Sequence, residues 1–64
     1  MNELDVVKLI KDFKNIKKGT LGTIVHKYDK HNFEVEFIDD NKETIDIYTI
    51  DDSYLECVWK FKES

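Results

Sequence analysis

The sequence has no proline and no arginine, one cysteine and only two glycines among its 64 residues. With no proline, no low-complexity stretch and no internal repeat, nothing marks a linker or a boundary, so residues 1–64 are expected to form a single domain. The lone Cys57 rules out an internal disulfide. No cysteine pair or close His/Cys cluster offers a structural zinc site, and solitary cysteine usage fits a reducing compartment. No apolar run is long enough to span a bilayer. The acidic start Met1-Asn2-Glu3-Leu4-Asp5 does not resemble a secretory signal, so the cytoplasm is the expected location.

The charge balance is equally one-sided. Ten lysines face fourteen Asp and Glu residues, for a net charge of −4. Arginine is the side chain best suited to bidentate contacts with phosphates and guanine edges, so an acidic chain without it is a poor candidate for nucleic acid. Acidity favours a basic partner instead, because complementary charge steers encounter.

A chain this short buries only about 60% of the surface its unfolded form exposes, which leaves a small margin of stability. Disulfides and metals are the usual reinforcements and neither is available. One Trp, three Tyr and four Phe must therefore carry much of the core with the aliphatic residues.

Five segments read as strands. Asp5 to Lys11 is apolar-rich. Val7 and Leu9 suit a strand, although Leu4, Val7, Ile10 and Phe13 also fall at a helical spacing. Lys14 to Lys18 is a basic loop containing Lys14, Lys17 and Lys18. Gly19 and Gly22 then bracket Thr20-Leu21, as expected where φ is positive or where backbones approach closely. Leu21 to Tyr28 is a second strand, and Asp29-Lys30-His31-Asn32 a turn. Phe33 to Ile38 is the clearest strand, with Phe33, Val35 and Phe37 on one side and Glu34 and Glu36 on the other. Asp39 to Lys42 turns the chain into Glu43 to Ile50, where Ile45 and Ile47 lie opposite Asp46 and Tyr48. Asp51-Asp52-Ser53 reads as a break or short 3₁₀ turn. Tyr54 to Phe61 closes the chain, with Leu55, Cys57, Trp59 and Phe61 on one face. Short strands at roughly ten-residue spacing predict an all-β fold, a barrel or sandwich.

The run Lys18-Gly19-Thr20-Leu21-Gly22-Thr23-Ile24-Val25 resembles the glycine-bracketed turn and G-x-V strand of an SH3-like barrel of the KOW kind. With Leu4-Asp5-Val6-Val7-x-Leu9, Tyr28-Asp29 and Phe33-Glu34-Val35-Glu36-Phe37-x-Asp39, the pattern is similar to the small bacterial domain-of-unknown-function family DUF4926. The resemblance runs from about Leu4 to Leu55. It implies a five-stranded SH3-like small barrel and no catalytic residue. Members of that family look like companions of toxin-type proteins, which implies an antitoxin or immunity role. Glu56 to Ser64 runs past the family pattern and carries Trp59 and Phe61.

The candidate contact surface is acidic. Glu34 and Glu36 share a strand face, Asp46 is expected opposite them, and Asp39, Asp40 and Glu43 crowd the intervening turn. Such a set is either a patch that docks on a basic surface or a solvated strand face that discourages edge aggregation. A domain of this size has little room for a carboxylate-flanked catalytic cleft, and Asp39, Asp40 and Glu43 lack the spacing of a calcium loop. His26 and His31 are not spaced as a metal pair. They are read as exposed polar side chains able to tune a partner interface. Cys57, between Glu56 and Val58, reads as a buried thiol rather than a nucleophile. Phe33, Phe37 and Phe61 are assigned to the core. Tyr28, Tyr48, Tyr54 and Trp59 could form a methyl-lysine cage or the rim of the core. Tyr48, on the strand face of Asp46, is the best exposed contact candidate. Phe13 alone accompanies the lysine loop, short of the aromatic interleaving that single-stranded nucleic acid requires.

The expectation is therefore a non-enzymatic module with no cofactor and no metal. Glu34, Glu36, Asp39, Asp40, Asp46 and Tyr48 would meet a basic toxin domain, a nuclease being the simplest case. The alternative is a KOW-like accessory module that binds RNA or the transcription or translation machinery.

Overall fold

The computed structural model describes residues 1–61. Strands β1 (Val6–Leu9), β2 (Leu21–Lys27), β3 (Asn32–Ile38), β4 (Thr44–Asp51) and β5 (Leu55–Trp59) form one antiparallel sheet in the order β4-β3-β2-β1-β5. A 3₁₀ turn, Asp52–Tyr54, separates β4 from β5. The all-β, five-stranded expectation holds. Among the described residues no ladder joins β4 to β5, so these two strands are the ends of the sheet. Ile50 near one end and Leu55 near the other still enter the same core, so the sheet curls around it.

That core is Val7, Leu9, Ile16, Ile24, Phe33, Val35, Phe37, Ile50 and Leu55. Residues of β3 alternate without exception, with Phe33, Val35 and Phe37 buried between half-buried neighbours. Ile16 arrives from the β1–β2 loop, where Phe13 and Ile16 exchange backbone hydrogen bonds of 2.8 and 2.9 Å across a tight turn. The loop is therefore folded down onto the sheet by an apolar anchor.

The two glycines act differently. Gly19 has φ +94°, a left-handed conformation at the end of that loop. Gly22 lies in β2 opposite Phe37. A Cβ there would sit 2.6 Å from Val35 Cγ1 and 3.0 Å from the Glu36 carbonyl oxygen, so its absence lets β3 pack close.

One aspartate side chain shapes each of three chain reversals. Asp29 Oδ1 accepts from the His31 and Asn32 backbone N–H groups, Asp39 Oδ1 from those of Asn41 and Glu43, and Asp51 Oδ1 from that of Ser53. A fourth, Asp5, is only 2% exposed. Its two carboxylate oxygens accept from Asn2 N–H at 3.0 Å and Phe61 N–H at 2.9 Å, tying the first turn to the end of the described chain. Burial alone would push this carboxyl up. The two backbone donors, helped by the charges of Lys60 and the N-terminal ammonium, outweigh it and hold Asp5 below the usual aspartate range.

Bulges interrupt three of the ladders, at Val25 in β2, Ile45 in β4 and Val58 in β5, and the last two change the face that the sequence reading assigned. In β4, Phe37 pairs with Asp46 and Ile38 with Thr44, so Ile45 is the extra residue. Residues directly opposite share a face. Asp46, Tyr48 and Ile50 therefore lie on the core side, and Ile45 and Ile47 are exposed. The sequence pattern carries apolar residues at both parities here, and the bulge resolves it opposite to the Ile45/Ile47-inward reading. In β5, Cys57 pairs with Val7 and Trp59 with Val6, with Val58 bulged out. Leu55 stays buried and Cys57 is half-buried, but Trp59 is turned outward and is 55% exposed. Phe61, assigned from sequence to the core, is 43% exposed.

Candidate functional site

The outer surface of β2, β3 and β4 combines carboxylates with apolar side chains. Glu34 lies opposite Thr49 of β4 and His26 of β2, and Glu36 opposite Ile47 and Thr23. Both glutamates are half-buried. Each is oriented by a neighbouring hydroxyl: Tyr28 Oη donates to Glu34 Oε2 at 3.2 Å, and Thr44 Oγ1 donates to Glu36 Oε2 at 2.7 Å. Ile47 is 48% exposed beside them.

At the β3–β4 turn this face opens into a shallow hollow of about 590 Å³. Leu21, Ile38 and Ile45 supply apolar walls, and Lys18, Asp40 and Lys42 supply charge. Leu21, Ile45 and Ile47 form an exposed apolar group of the kind that marks interaction surfaces when bordered by polar residues.

The six residues singled out in the sequence do not form one patch. Glu34 and Glu36 are together on the outer face, with Asp40 at the turn. Asp39 lines the same hollow, but its carboxylate is occupied by the backbone of its own turn. Asp46 lies on the core-side face of β4, and its Oδ1 accepts from the Ile47 backbone N–H at 2.8 Å. Tyr48 is half-buried against the core. Its ring meets Phe13 edge-on with centroids 5.5 Å apart, and its hydroxyl donates to the Asn15 side-chain oxygen. Burial, reinforced by the Asp46 charge, pushes the Tyr48 hydroxyl above its ordinary value. Asp46 and Tyr48 thus drop out of the outer face, and Ile47, Ile45 and Leu21 replace them. Alternation alone could not place Ile45 and Ile47 there, because the β4 bulge decides their face; Leu21 joins them from β2, opposite Ile38.

The four aromatics considered for a cage fall into three groups. Tyr48 and Tyr54 flank Phe13, Tyr28 stacks edge-on against His26, and Trp59 against Phe61. The first group carries cations: Lys11 Nζ stands 4.5 Å from the Tyr54 ring centre and Lys14 Nζ 5.1 Å from that of Tyr48. The lysine loop therefore has three rings beside it, two more than the sequence neighbourhood shows.

His26 Nδ1 lies 3.6 Å from Glu3 Oε2. His31 Nδ1 is 3.0 Å from Asp52 Oδ2, joining the β2–β3 turn to the 3₁₀ turn. The Asp52 hydrogen bond and charge, with Asp29 and Asp51 nearby, raise His31 above the usual histidine range. Among the described residues no group of three His, Cys, Asp or Glu side chains is arranged to hold a metal ion, and no helix is long and apolar enough to cross a membrane.

A family model described as "Domain of unknown function (DUF4926)" matches residues 3–57. No curated protein and no solved structure matches the chain.

Proposed function

The chain belongs to the DUF4926 family, whose description assigns no activity, and we propose from its surface that it is a non-enzymatic protein-binding module of the cytoplasm, an immunity protein or antitoxin that covers the active site of a basic toxin. The observation that carries this reading is the pairing of Glu34 and Glu36 with exposed Ile47 on one face. The solvated face of an antiparallel sheet is predominantly polar. Here carboxylates held by Tyr28 and Thr44 stand beside apolar side chains left in water. Oriented charge gives a partner direction and encounter rate, and apolar area gives it residence.

The partner implied is cationic around an apolar contact, as the nucleic-acid channel of a nuclease is. Coexpression with the product of the neighbouring gene tests the reading. A toxic neighbour should become harmless in the presence of this chain and toxic again with the double variant E34K/E36K. A neighbour that is harmless alone, or an acidic binding partner, would overturn it.

The lysine loop favours one second reading, a KOW-like module that binds RNA or the transcription or translation machinery. Lys11 and Lys14 stacked on Tyr54, Phe13 and Tyr48 provide ammonium groups and rings together. RNA filter binding at low salt separates the two. Micromolar retention that falls with salt and with Lys14→Ala supports the RNA module, and no retention supports the protein-binding one.

A further inference from the structure

Strand β4 runs for eight residues, and among the described residues only β3 pairs with it. Its other edge therefore presents backbone N–H and C=O groups that have no ladder partner. Such groups alternate along an antiparallel strand. Ile47 marks their parity: its N–H donates to the Asp46 side chain, Oδ1 accepting at 2.8 Å, so it points away from β3. The same parity places the N–H of Thr49, an exposed residue, on that edge.

Sheet edges are commonly blunted by lysine, by proline or by a covering segment. Residues 43–52 hold no lysine and no proline, and carry Glu43, Asp46, Asp51 and Asp52. Asp51 is engaged by the Ser53 N–H and Asp52 by His31. Glu43 and Asp46 form no ion pair among the described residues. A second copy would set these carboxylates against their like, whereas a cationic segment would neutralise them. The edge is also continuous with the acidic outer face, because Thr49 stands opposite Glu34 and Ile47 opposite Glu36.

We propose that this edge of β4 is a strand-addition site, taken by an extended segment of the partner that alternates cationic and apolar side chains. Main-chain hydrogen bonds to Ile47 and Thr49 supply the ladder, and the alternation of side chains supplies the selectivity. The segment's apolar side chains lie beside Ile47 on the outer face, and its cationic ones beside Asp46 and the Tyr48 ring. An incoming carbonyl takes the place of Asp46 at the Ile47 N–H, which frees that carboxylate for the incoming cation. This deepens the docking reading by giving the form of the partner's contact, and it rests on that reading for the partner's charge.

The test needs no identified partner. The probe is the end-capped hexapeptide Lys-Val-Lys-Val-Lys-Val, titrated to about 5 mM into isotope-labelled protein, with its Glu-Val counterpart as the control. The lysine peptide should bind with a millimolar Kd, weaken as salt rises, and slow amide exchange at Ile47 and Thr49 about threefold or more. Thr49→Pro removes an edge donor at a position where an outward N–H tolerates proline, and should raise Kd about fivefold or more with an unchanged circular dichroism spectrum. Where that variant unfolds the chain, the wild-type exchange rates decide. No binding by about 5 mM, equal binding of the glutamate peptide, or binding that leaves exchange at Ile47 and Thr49 unchanged overturns strand addition. Coexpression with the neighbouring gene's product judges the docking reading separately. A chain that neutralises its neighbour but adds no peptide to β4 overturns this inference alone, and one that adds the peptide but neutralises nothing overturns the docking reading alone.

Discussion

Glu36 of β3 and Ile47 of β4 stand directly opposite one another, and Thr44 Oγ1 holds the Glu36 carboxylate at 2.7 Å. A held charge beside an exposed isoleucine is the smallest unit of the proposed docking face. Ile47→Thr, which keeps a β-branched side chain opposite Glu36, should weaken partner binding about tenfold or more while changing unfolding free energy by less than about 1 kcal/mol, because the side chain is half in water. Calorimetric titration against the partner and urea unfolding read the two effects separately.

Gly22 and Gly19 should respond differently to alanine. Gly22→Ala forces a methyl group against buried Val35 and should cost about 1–3 kcal/mol. Gly19→Ala meets no neighbour, but its φ of +94° makes an L residue unfavourable by about 1 kcal/mol. Urea midpoints at constant slope distinguish them. Equal costs would mean that close packing of β3 onto Gly22 is not what that position provides.

The glycine pair shows what a sequence can say. The two residues, three apart ahead of a β-branched run, marked a turn and a close approach, and both are present. Phe33, Val35 and Phe37 were equally legible because β3 alternates without interruption. Legibility failed at the bulges. One extra residue at Ile45 moved Asp46 and Tyr48 to the core side, and one at Val58 turned Trp59 outward. Asp5 and Ile16 were missed for another reason: Asp5 is a charged side chain and Ile16 sits in a lysine-rich loop, and the burial of both depends on parts of the chain distant in sequence. For Asp5 the clearest is Phe61.

Asp5 should matter more than any exposed carboxylate. Asp5→Ala leaves the Asn2 and Phe61 backbone donors without their acceptor and should cost about 1–3 kcal/mol. Its folded pKa is depressed, so its contribution is present above the unfolded value of about 3.9 and is lost as pH falls through the folded value. Acid unfolding of wild type and Asp5→Asn tests this. The variant should be less stable at neutral pH, and the difference should shrink below pH 4.

The His31–Asp52 contact has the opposite sign. His31 is raised in the folded state, so its contribution is fully present below the unfolded value of about 6.5 and is lost as pH rises through the raised folded value. Asp52→Asn should flatten the pH dependence of stability on the alkaline side of pH 6.5. Histidine titration by NMR should show His31 shifting down in the variant. An unshifted His31 would show that Asp52 is not its partner in solution.

Charge steering by the outer face is best tested by the association rate with the partner that coexpression identifies. Stopped-flow measurements compare wild type and E34K/E36K at about 50 and about 500 mM salt. The wild-type rate should fall about tenfold or more with salt, and the double variant should start near that lowered rate and vary little. Equal rates for the two proteins at low salt, or faster association of the variant, would contradict a docking face built on Glu34 and Glu36.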